Sequence, residues 1–252
     1  MTYPRLLDAC PVLRDMIVTG KTLTAQGQAV PFHSGIRIDY AEALYRQVVA
    51  RRPSVVVEIG MAHGVSSLAI LTALAANGSG HLISIDPYQQ SHWGSCGRTA
   101  IERAGYREQH EMITEPDWVA LPDLWRKGMR VDFGYIDGSH AFDYALLDTF
   151  YLDKLLPPGG VLAFNDCGLP AIEKVILYLQ SHRHYTELDV GLRFVRGHPF
   201  GLGNALRNPL LLPRLLTRLT PANFATWRRP HQDRYFEKQD DWQPLTDIPL
   251  PF

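Results

Sequence analysis

The chain has 252 residues, 46% of them apolar and 20% charged, with a formal net charge of −1; this is the make-up of a soluble globular protein with length for one ordinary domain plus extensions. The near-zero charge argues against bulk nucleic-acid binding, no apolar run approaches the roughly 20 residues that cross a bilayer, and the opening MTYPRLLDACPVLRDM lacks the pattern of a signal peptide. Cys10, Cys96 and Cys167 are an odd, scattered set without metal spacing, which points to a reducing cytoplasm. Residues 1 to about 35 are mixed, with Gly20, Gly27, Pro31 and Gly35 breaking any long element. Tyr40 to Ala50 carries Leu44, Val48 and Val49 at helical spacing, and Arg51-Arg52-Pro53 ends it.

Val55, Val56 and Val57 form a short β-branched run, as expected of a strand buried on both faces of a parallel sheet. Glu58 follows, then a turn holding Gly60, Ala62, His63 and Gly64. From Ser66 the period becomes helical: Leu68, Leu71 and Ala75 share a face, and Asn77-Gly78 supplies a stop. Strand, glycine turn and helix make the first half of a nucleotide-binding βαβ unit, in which a ligand approaches the turn backbone and the helix N-terminus. A dinucleotide fingerprint needs glycine at positions 60, 62 and 65; Ala62 and Val65 break it and disfavour an NAD-dependent dehydrogenase. What fits is acidic-x-Gly-x-small-x-Gly, on Glu58, Gly60, Ala62 and Gly64. It resembles the first motif of class I S-adenosylmethionine-dependent methyltransferases, with alanine at the usual middle glycine. That resemblance implies that the turn, with His63 and Ser66 beside it, wraps the methionine part of the cofactor.

His81 to Ile85 reads as a second strand, closing on Asp86-Pro87. Asp86 lies 22 residues past Gly64, near the offset of about 20 at which an acid accepts hydrogen bonds from ribose hydroxyls. Residues 89 to 100 are polar and glycine-broken, a loop longer than a minimal connection. A short helix over Thr99 to Gly105 and a third strand over His110 to Thr114 follow. Glu115 takes the next strand end, where the resemblance implies a residue near the adenine. Pro116 to Lys127 is partly helical, with Pro122 expected to break or restart it.

Val131 to Ile136 is a strand ending in Asp137-Gly138-Ser139-His140. A helix over Tyr144 to Leu156, then Pro157-Pro158-Gly159-Gly160, leads to a strand over Val161 to Phe164 ending in Asn165-Asp166. Together these resemble a methyltransferase subfamily with I-D-G-x-H-x-Y after strand four and L-x-P-G-G before strand five, Phe142 standing where Tyr is usual. The resemblance covers residues 40 to about 197 and implies a doubly wound α/β fold, a Rossmann-like sheet of seven mostly parallel strands. Leu169 to Gln180 reads as the next helix, and Tyr185 to Val190 with Gly191 to Arg196 as the closing hairpin. Beyond it, a basic stretch carries Leu210, Leu211, Leu212, Leu215, Leu216 and Leu219, interrupted by Pro213. The chain thus divides into an N-terminal segment over 1–39 that forms the acceptor side or a lid, a cofactor-binding domain over 40–197, and a basic, leucine-rich extension over 198–252 that offers a surface for a homo-oligomer.

Asp137 and Asn165-Asp166 sit at carboxyl ends of neighbouring strands, the ligand edge of such a sheet. Oxygen ligands of these types suit Mg²⁺, and the constellation resembles that of cation-dependent O-methyltransferases, with Asn-Asp in reversed order. His140, titrating near neutrality, is the candidate base; His63 and His92 rank second, and Cys167 lacks a partner base. The expected activity is methyl transfer from S-adenosylmethionine to a hydroxyl of a small molecule or sugar, assisted by Mg²⁺. The alternatives are a cation-independent enzyme with His140 alone as base, and a cofactor-binding accessory protein without turnover.

Overall fold

A computed structural model describes residues 4–192 and 233–242. The N-terminal segment is more regular than its breakers imply: α1 (Leu6–Ala9), α2 (Pro11–Thr19), and a hairpin of β1 (Lys21–Leu23) and β2 (Ala29–Pro31). Then come α3 (Ile38–Arg51), β3 (Val55–Ile59), α4 (Val65–Asn77), β4 (His81–Ile85), α5 (Cys96–Arg103) and β5 (His110–Ile113). The second half is α6 (Asp117–Arg126), β6 (Phe133–Ile136), α7 (Phe142–Leu155), β7 (Val161–Phe164), α8 (Pro170–His182), β8 (Tyr185–Leu188) and β9 (Arg234–Lys238).

The seven strands β3 to β9 form one sheet in the order β5-β4-β3-β6-β7-β9-β8, parallel except at β9. Because successive side chains of a strand point to opposite faces, each strand feeds two cores. Val56, Leu82, Phe133, Tyr135 and Tyr235 join the layer containing α3 and α4. Val57, Ile83, Ile136, Leu162 and Phe236 join the layer containing α6, α7 and α8. Helix α4 lies against α3 and is buried nearly all round, as a helix apolar on every side must be.

Pro122 neither breaks nor restarts its helix, since α6 runs on through it; burial of Ala120, Leu121 and Leu124 holds the helix across the missing hydrogen bond. Among the described residues the strand that pairs with β8 is β9, which lies within the 198–252 extension and sits between β7 and β8; Arg193 to Arg196 of the expected partner lie outside the described residues. The sheet therefore reaches Lys238, well past residue 197. Arg234 grips Glu187 of β8 through two hydrogen bonds of 2.8 and 2.7 Å, and Lys238 donates to the Asp153 and Leu156 carbonyls at the end of α7. Leu210 to Leu219 lies outside the described residues. Among the described residues no helix is long and apolar enough to cross a membrane.

Candidate active site

The carboxyl ends of β3, β6 and β7 open into a cavity of about 480 Å³. Gly60, Ala62, His63 and Ser66 form its glycine-turn wall, Asp137, His140, Asn165 and Asp166 its acidic wall, and Ser34 to Arg37 with Tyr40 and Trp93 its outer side. At Gly60, φ is +83° and a Cβ would lie 2.2 Å from the Asp137 carbonyl oxygen. Only glycine lets the turn touch the end of β6, and that contact joins the two walls. Gly97, in the first turn of α5, meets the same turn, where a Cβ would lie 2.8 Å from the Ala62 carbonyl oxygen.

The expected cofactor residues divide into two sets. Glu58 is fully buried away from the cavity, accepting hydrogen bonds from Ser67 and Ser84 at 2.5 and 2.7 Å. Burial pushes its carboxyl above the usual range, partly offset by serine hydroxyls. Asp86 is also turned inward. Its Oδ2 accepts from the Met61 and Ala62 amides at 3.2 and 2.9 Å and from Gln89 at 2.9 Å, and its Oδ1 accepts from the Tyr88 amide at 2.8 Å. Asp86 thus shapes the glycine turn. Gly64, Pro87 and Glu115 are not among the residues that line the cavity, and Glu115 is exposed.

His63 is 4% exposed, and its Nδ1 lies 2.7 Å from the His33 carbonyl oxygen. Its ring packs edge-on against His33 and Trp93, at centroid distances of 4.9 and 5.1 Å. The N-terminal segment and the loop before α5 therefore meet over the turn, and burial lowers the His63 pKa.

On the acidic wall, His140 Nε2 lies 3.4 Å from Asp166 Oδ2 and 3.9 Å from Asp137 Oδ1. Burial raises the Asp137 pKa well above the carboxylate range, with Asp233, Asp166 and Glu58 adding repulsion. Asp233 was absent from the expected set. It is 2% exposed, and it accepts hydrogen bonds from the Asn165 amide at 2.7 Å and the Tyr135 hydroxyl at 2.8 Å. Burial moves its pKa to about 7. No motif marks Asp233; only the strand assignment that the extension concealed could have revealed it. Tyr40, its phenol raised to about 12 chiefly by burial, and Arg37, 5.3 Å from the Tyr40 ring, were likewise unmarked. His92 lies exposed outside the lining, and Cys167 is buried with its thiol donating to the Phe164 carbonyl.

The expected Mg²⁺ ligands do not fit a cation as arranged. Asp137 and Asp166 face the His140 imidazole between them in place of a shared cation, and Asn165 gives its amide nitrogen to Asp233, which leaves only its amide oxygen as a ligand. Among the described residues no group of three His, Cys, Asp or Glu side chains could hold a metal ion.

Residues 57–167 match the model of a family described as a methyltransferase domain. No curated protein matches the chain. Among solved structures, a cofactor-bound protein, Rv0187, from MTB is 13% identical with a TM-score of 0.61, over 95% of this chain and 99% of its own. The O-methyltransferase TomG of Streptomyces achromogenes, solved with SAM and involved in tomaymycin synthesis, is 18% identical with a TM-score of 0.55, over 75% and 82%. A Bacillus cereus O-methyltransferase in complex with SAH is 17% identical with a TM-score of 0.54, over 75% and 85%. At these identities the likeness is one of fold, and the domain match lies on the strands that carry the cavity.

Proposed function

We propose that this chain, an S-adenosylmethionine-dependent methyltransferase by its domain match and fold, methylates a hydroxyl of a small molecule or sugar. The observation that carries the reading is one cavity with the glycine turn on one wall and His140, flanked by Asp137 and Asp166, on the other. A volume of about 480 Å³ suits small-molecule ligands. Two of the structures it resembles are named O-methyltransferases, one of them involved in tomaymycin synthesis.

When bound, S-adenosylmethionine supplies an already activated methyl group, so the protein has to align the acceptor oxygen and remove one proton. The turn of Gly60 to Gly64 approaches the cofactor with its backbone, and Ser66 in the first turn of α4 adds a hydroxyl. His140 takes the acceptor proton, and the Asp166 carboxylate, 3.4 Å from Nε2, stabilises the imidazolium that forms. We place the enzyme in the cytoplasm on its three free cysteines.

The test is turnover of a panel of phenols and sugars with S-adenosylmethionine. His140→Ala should lose roughly 10²–10⁴ in rate with partial recovery at high pH, and calorimetric affinity for S-adenosylhomocysteine should stay within a few-fold. Chelator should leave the parent's rate unchanged; a chelator-sensitive rate restored by Mg²⁺ would return the cation to the mechanism. Cofactor binding with no methyl transfer across the panel would favour an accessory protein.

A further inference from the structure

The antiparallel ladder of β7 and β9 pairs Phe164 with Arg234. Continued by one pair, it sets Asp233 across from Asn165 at the cavity edge. Both carboxylate oxygens of Asp233 are taken: Oδ1 accepts from Asn165 Nδ2 at 2.7 Å, and Oδ2 accepts from Tyr135 Oη at 2.8 Å. Asp233 and Tyr135 are 2% and 0% exposed, so water does not compete for these bonds. Above its pKa of about 7 Asp233 is a carboxylate, which offers no hydrogen. The Asn165 amide must turn its nitrogen toward Asp233, because the flipped amide would set its carbonyl oxygen against a buried carboxylate oxygen. The amide oxygen is then the polar atom of Asn165 that remains for the cavity it lines.

We propose that Asp233 is a positioning residue that locks the polarity of Asn165, so that the cavity recognises an acceptor through a group that donates a hydrogen bond, a hydroxyl or an N–H. This rests on the methyltransferase reading and narrows its substrate class. A bare carbonyl, ether or carboxylate at that point would meet oxygen with oxygen and leave the amide unpaired. The lock comes from the residue just before β9, outside the residues 57–167 that match the methyltransferase domain, so the match alone does not specify this selectivity.

The experiment uses the full-length ¹⁵N-labelled protein, with the Asn165 side-chain NH₂ pair identified by its loss in Asn165→Ser. In the parent this pair should exchange with solvent at least ten-fold more slowly than exposed asparagine amides. Fast exchange in the parent overturns the lock without any variant. Asp233→Leu should abolish the protection, whereas Asp233→Asn, which can still present an oxygen to Nδ2, should keep it. Unchanged protection in an Asp233→Leu protein that binds S-adenosylhomocysteine overturns the proposal. On a hydroxyl acceptor turned over by the parent, Asp233→Leu should raise KM at least ten-fold with cofactor affinity unchanged, and Asp233→Asn should restore it; an unmoved KM rejects the selective role. Failure of the parent on every acceptor would count against the methyltransferase reading and leave the exchange result standing.

Discussion

Ala62 is where the chain departs from the glycine of the motif it resembles, and its φ of +46° carries the consequence. A left-handed backbone costs an L-residue roughly 1–2 kcal/mol, and glycine gives back part of that gain through unfolded-state entropy. Ala62→Gly should therefore raise stability by about 0.5–1 kcal/mol in urea unfolding; a loss would mean that the methyl group packs. Asp86→Ala should do the reverse, because it strips the acceptor from three backbone amides and Gln89. We expect a loss of about 2–4 kcal/mol and a cofactor affinity at least roughly ten-fold weaker in calorimetry. A folded variant that keeps its affinity would show that the turn does not depend on this carboxylate. The sequence brought Gly60, Ala62, His63, Ser66, Asp137, His140, Asn165 and Asp166 to one edge because the ends of parallel strands are set by topology. It could not show that Glu58, on the same face as Val56, turns inward to Ser67, or that Asp86 serves the turn's own amides.

At the scale of elements, the strand–turn–helix alternation made β3 through β7 legible, since each is a short apolar run ending in a polar or glycine turn. The last antiparallel pair was not. Residues 185–196 have the alternation of a hairpin, while the true partner of β8 lies far along the chain in a stretch whose basic composition reads as extension. Strand β9 is no accessory: Tyr235 and Phe236 are fully buried, and burying an aromatic of this size is worth about 3–5 kcal/mol against alanine. A chain ending at residue 232 loses this strand from between β7 and β8, together with Asp233. It should show no cooperative thermal unfolding and no binding of S-adenosylhomocysteine. A soluble truncation that melts cooperatively and binds would show that β7 and β8 close on each other without it.

For the whole molecule, buried carboxyls make stability depend on pH. Asp233 is raised to about 7, and Asp137 and Glu58 are shifted in the same direction, chiefly by burial. A carboxyl that keeps its proton longer in the folded state than in the unfolded chain stabilises fully below the unfolded value near 4 and loses that contribution as pH rises toward 7. Asp233→Asn removes one such group while retaining a partner for Asn165. The parent should lose about 1–3 kcal/mol more than this variant between pH 5 and 7.5 in urea unfolding. Equal slopes would place the Asp233 titration outside that window.

The place of β9 also sets a timetable for synthesis. A ribosome adds roughly 5–20 residues each second, and the residues from Tyr185 to Asp233 must all emerge before the gap beside β7 can be filled. Until then the nascent sheet exposes the unpaired edge of β7, the feature by which partly made proteins join one another. Rapid high-level expression should therefore tax this chain late in its translation, and a fusion partner at the C-terminus would delay release of the closing strand where one at the N-terminus would not.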